Sequence, residues 1–133
     1  LVSALADFDA NVQWAAIQAL RKKGKKSVPE LIYMLEYDDD SLTPNILRTF
    51  SELGPNAIAA VDNVLIMLQH SNADYRALAA EALGEIGEPS EIAIKSLNIL
   101  KQDKNEYVSS SAEWALNELE RIKDIRENNT NEE

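Results

Sequence analysis

Cysteine is absent from this chain, and that single absence removes two large classes of protein. Without thiols there is no disulfide framework and no thiolate metal site. Histidine is nearly absent as well. His70 stands alone, so a centre that needs several imidazoles has no ligand set. With four Gly and four Pro, there is little room for a turn-rich β architecture. Positive charge is scarce: 13 Lys and Arg face 23 Asp and Glu, a net charge of −10. That balance opposes binding to a phosphate backbone, whose affinity rests on neutralisation by Lys and Arg. No apolar run approaches the ~20 residues that span a bilayer. No charged segment followed by an apolar one opens the chain as a secretory signal would. These absences set the expectation of a cytoplasmic protein without nucleic-acid or membrane partners, kept soluble by its excess carboxylates.

What is present is a core and a repeat. At 133 residues and 45% hydrophobic content, the chain can bury a real interior. Leu42, Ile46, Leu47, Phe50 and Gly54 fall on Tyr75, Ala79, Ala80, Leu83 and Gly87 when the chain is shifted by 33 residues. Val108, Ala112 and Leu116 continue the series. Val12, Ala16, Ile17, Leu20 and Gly24 begin it if the following turn is three residues shorter. A fixed period of this size marks units that cannot bury an apolar face alone and must stack on neighbours.

Each unit divides into two helical patterns. First helices are predicted at about 10–23, 44–53, 73–86 and 107–123, second helices at about 27–37, 56–70 and 89–103. Asp9 or Asn11, Thr43 with Pro44 behind it, Asn72 or Asp74, and Asn105 are residues suited to capping a first turn. Gly24, Gly54 and Gly87 read as exits. Leu1–Ala6 read as the last turns of a second helix from a preceding unit, and residues 124–133 as a disordered acidic tail without apolar periodicity. Arg21-Lys22-Lys23-Gly24-Lys25-Lys26 has two readings, an anion-binding loop or, preferred for so small a basic turn, a helix end whose cations complement its dipole. Asp38-Asp39-Asp40 lacks the Gly and terminal Glu of a calcium loop and reads as a polar turn.

Asp9-x-x-Val12 followed by Ala15-Ala16 and Ala19-Leu20, and Asp74-Tyr75-Arg76 followed by Ala79 to Gly87, resemble the HEAT-repeat family in its short, phycobilisome-lyase-like form. The likeness covers about residues 7–120. It implies an all-α, right-handed α-α superhelical solenoid over 1–123, with 1–6 a remnant and repeats at about 7–37, 38–70, 71–103 and 104–123. The Arg that often follows the first apolar residue is Gln13, Thr43 and Ser109 in the other units, so only the unit with Arg76 carries it. The family's iron-dependent hydroxylases need His–Glu pairs on several helices, and one histidine does not supply them. No local signature of a nucleophile arrangement and no phosphate-cradling glycine loop is visible. No enzyme activity and no cofactor are expected.

The core stripe of the second helices is predicted at Val28, Leu31, Ile32 and Leu35, then Val61, Val64, Leu65 and Leu68. At about 100° per residue, Ile66 points roughly 140° from Val61. Its equivalents in the neighbouring units are Tyr33 and Ile99. Tyr37 and His70 lie beside them on the same side. Second helices of such solenoids usually line the concave face, so these five residues are the expected partner-binding surface of a non-enzymatic scaffold. The partner would be another protein or another domain of the same polypeptide. Two alternatives stand beside it. One is a chromophore (bilin) lyase-type subunit, as the phycobilisome-lyase likeness implies, although only Lys95 and Lys101 of the second helices could meet bilin propionates. The other is a structural spacer array within a larger protein.

Overall fold

In the computed structural model, residues 1–37 and 39–132 are described, and every regular element among them is helical. The chain runs through α1 (Ala10–Lys23), α2 (Val28–Leu35), α3 (Thr43–Leu53), α4 (Val61–Met67), α5 (Ala73–Ile86), α6 (Glu91–Leu100) and α7 (Glu106–Glu132). Tight 3-10 turns cover Val2–Ala6, Gly24–Ser27 and Gly54–Ala60.

Local chemistry explains most boundaries. Asp9 Oδ1 accepts the Asn11 N–H at 2.8 Å, Asn72 Oδ1 accepts the Asp74 N–H at 2.8 Å, and Ser90 Oγ accepts the Ala93 N–H at 3.1 Å. Each satisfies a donor that a first helical turn leaves orphaned. Gly24, Gly54 and Gly87 leave their helices at φ of 66°, 57° and 74°, a region that costs glycine nothing.

α3 begins differently from the expectation. Thr43 does not cap it; Thr43 is its first residue, and the preceding turn does the capping. The Asp39 carbonyl accepts the N–H groups of Leu42 and Thr43 at 2.9 and 2.8 Å, while Asp39 Oδ1 accepts the Ser41 N–H and hydroxyl. Among the described residues the buried Thr43 hydroxyl has no hydrogen-bond partner. Asp38, expected in the same turn, lies outside the described residues.

The second helices are shorter than the sequence predicts. Pro55 and the non-helical Ala57 (φ −96°, ψ 17°) keep residues 54–60 in a 3-10 path, so α4 starts only at Val61. Val64, Leu31 and Leu97 are fully buried, and Val28, Leu35 and Leu68 nearly so. Ile32 and Leu65, expected on the core stripe, are only partly buried. Met67 completes the buried face of α4 instead.

α1 packs on α3, α3 on α5 and α5 on α7, forming one row. α2, α4 and α6 each pack on the first helix that follows them. Alanines make the close approaches possible: Ala77, Ala79, Ala80, Ala82, Ala112 and Ala115 are all fully buried. Phe50, Ile46, Leu47, Val108 and Leu119 fill the space between. Truncating one such Leu or Ile to Ala costs about 2–5 kcal/mol in well-packed interiors.

The predicted end at residue 123 is not where α7 stops. Its helix continues to Glu132, although residues 123–131 are exposed throughout. The loss of apolar periodicity there marks the end of burial. With no Gly or Pro after Gly87 and Pro89, nothing in the backbone breaks the helix.

Candidate binding surfaces

The second-helix residues singled out from the sequence do reach the surface. Tyr33 is 57% exposed, Ile66 71% and Ile99 71%, while Val64 between them is fully buried. A 33-residue spacing on a buried scaffold thus puts an apolar side chain outside at the same place in three successive second helices. Tyr37, also exposed, pairs with Tyr33: the rings meet edge to face with centroids 5.2 Å apart, and the hydroxyls are 2.7 Å apart. That hydrogen bond, with some help from burial, raises the Tyr37 hydroxyl pKa above its ordinary 10.0.

His70 is built into the turn after α4. Its ring lies tilted at 45° against Tyr75 with centroids 4.6 Å apart, and its Nδ1 accepts the Asn72 N–H at 3.0 Å. It is half-buried and shares a depression of about 340 Å³ with Ile66, whose other walls are Leu35, Glu36, Asn63 and Met67. Of the five expected residues the structure therefore joins Ile66 to His70 and Tyr33 to Tyr37. Ile99 shares neither grouping and lies apart on α6, which also exposes Ile92.

A second hollow, of about 380 Å³, lies on the row of first helices between α3, α5 and α7. Ser51, Glu81, Glu85, Tyr107, Ser110, Ser111 and Trp114 line it. Glu81 Oε1 accepts hydrogen bonds from the Tyr107 hydroxyl at 2.7 Å and the Ser111 hydroxyl at 3.2 Å. The bond to Glu81 raises the Tyr107 hydroxyl above its ordinary pKa. Burial raises the Glu85 carboxyl above its ordinary 4.5, and the carboxylates of Glu118, Glu52 and Glu81 add to the effect.

Reasoning from the sequence missed this hollow. Its signal was Gly84, a glycine inside a helix where alanine would be favoured. A Cβ at Gly84 would stand 2.5 Å from Trp114 Cζ3 and 3.1 Å from the Ala115 Cα. The missing side chain is what lets the indole rest on α5.

The turn after α6 is tied to the start of α5 by an ion pair. Arg76 reaches Asp103 in a two-pronged contact, Nε to Oδ2 at 2.9 Å and Nη2 to Oδ1 at 3.1 Å, and also donates to the carbonyls of His70 and Ser71. The Asp103 carboxyl is held below its ordinary 3.8 by Arg76 first and by the Asn105 N–H second. Among the described residues no three His, Cys, Asp or Glu side chains converge to hold a metal ion, and no helix is long and apolar enough to cross a membrane. No model of a protein family matches the chain, and no curated protein is similar to it in sequence.

Proposed function

We propose that this chain is a non-enzymatic interaction scaffold, a HEAT-like right-handed superhelical solenoid in the cytoplasm. It binds another protein, or another domain of its own polypeptide, along the exposed face of its second helices that carries Tyr33, Ile66 and Ile99. The observation that carries this reading is the repeated exposure of Tyr33, Ile66 and Ile99 over a filled core. Scattered single apolar residues are ordinary on a surface, whereas a row set by the repeat itself is a feature of the architecture. The HEAT likeness rests on the quoted repeat motifs and on the row of first helices.

The reading concerns the face and not its curvature. α3, α5 and α7 approach one another closely, while α2, α4 and α6 approach one another little. The tighter layer of a bent stack is its inner one, so the concave designation expected for the second helices draws no support from the packing.

Capture experiments with wild type and single-site variants test the proposal. Ile66→Asp and Ile99→Asp should each lose a protein that wild type retains, while Asp62→Asn on the same helix as Ile66 should keep it. Equal retention by all four forms would remove the face from consideration and favour the spacer reading.

A further inference from the structure

We propose that the hollow between α3, α5 and α7 receives the cationic side chain of a basic segment on a partner protein. Its aromatic wall is Trp114, 41% exposed and seated on Gly84, with Tyr107 beside it. The face of an indole or phenol attracts a guanidinium or ammonium group through its quadrupole. The carboxylates complete the match. Tyr107 and Ser111 both engage Oε1 of Glu81, and among the described residues no group donates to its Oε2. Among the described residues the Glu85 side chain makes no hydrogen bond or ion pair, and its carboxyl is crowded by Glu118, Glu52 and Glu81.

Two guanidinium groups on the helices that form the hollow, Arg48 on α3 and Arg121 on α7, are engaged elsewhere. Arg48 donates to Asn45 Oδ1 at 2.9 Å and Arg121 to Glu118 at 2.8 Å. An incoming cation would relieve the repulsion among the carboxylates, whereas a neutral or anionic occupant would leave it in place. The overall charge of −10 draws the same kind of partner from a distance. This hollow belongs to the row of first helices, so the inference does not rest on the second-helix face.

The two tryptophans, Trp14 and Trp114, give the test an internal control. The full chain is titrated with the peptide acetyl-Gly-Arg-Arg-Gly-amide at about 20 mM salt, where screening is weak, and the indole N–H resonances are followed. The Trp114 signal should move saturably and the Trp14 signal should stay still. The same peptide with citrulline in place of arginine should move neither. Glu85→Gln should weaken binding about threefold, the scale of one exposed charge contact, and should melt no lower than wild type because it removes like-charge crowding. Glu91→Gln, an exposed change on α6, should leave binding unaltered. The proposal is overturned if no shift occurs, if both indoles move together, if the citrulline peptide binds equally, or if Glu91→Gln weakens binding as much as Glu85→Gln.

Discussion

Thr43 occupies the place in its unit that Arg76 occupies in the next, and the two show what one residue does to the same site. Arg76 spans two turns, bonding Asp103, His70 and Ser71. Thr43 is fully buried, and among the described residues its hydroxyl has no partner. A buried hydroxyl without a hydrogen bond forfeits its hydration for nothing. Thr43→Val keeps the shape and removes the polar atom, so it should be neutral to about 1 kcal/mol stabilising. Urea denaturation measures this, and a loss above 1 kcal/mol would show that the hydroxyl has a role the geometry does not reveal. The sequence pointed to Thr43 as a cap because its residue type is right. Asp39 takes that work through its backbone carbonyl, which no residue-type rule can foresee.

At the scale of elements, the first helices were almost fully legible. Three-four spacing, Asp9, Asn72, Gly24, Gly54 and Gly87 locate α1, α3 and α5 within a residue of where they stand. The second helices were legible in face and not in length, because the 3-10 path at Gly54–Ala60 keeps the apolar spacing while changing the backbone. The extension of α7 was missed because periodicity reports burial, whereas helix continuation needs only the absence of a breaker. The clamp between the start of α5 and the turn after α6 makes a pH-dependent prediction. The Asp103 carboxyl binds a proton less readily in the folded chain than in the unfolded one. Its contribution to stability is therefore complete above the ordinary carboxylate value and lost as pH falls through it towards the folded value. Asn at this position can still accept the Asn105 N–H but cannot pair ionically with Arg76. Asp103→Asn should lower the melting temperature at pH 7 and converge on wild type as the solution is acidified below the carboxylate range. A constant offset between the two melting curves at every pH would assign the effect to packing instead.

At the scale of the molecule, two surfaces sit on one framework. The second helices present Tyr33, Ile66 and Ile99; the row of first helices presents the hollow of Trp114, Glu81 and Glu85. The first surface was legible because it repeats with the chain. The second was not, because it arises once, where Gly84 lets Trp114 settle, and a feature that does not repeat leaves no period to read. The proposed function rests on Ile66 being outside while its near neighbour Val64 is inside. Equilibrium denaturation of Ile66→Asp and Val64→Asp measures that directly. Ile66→Asp should stay within about 0.5 kcal/mol of wild type, as surface changes do, and Val64→Asp should cost several kcal/mol or prevent folding, because it buries an unpaired carboxylate. If Ile66→Asp unfolds the chain as Val64→Asp does, Ile66 is core and the proposed binding face does not exist.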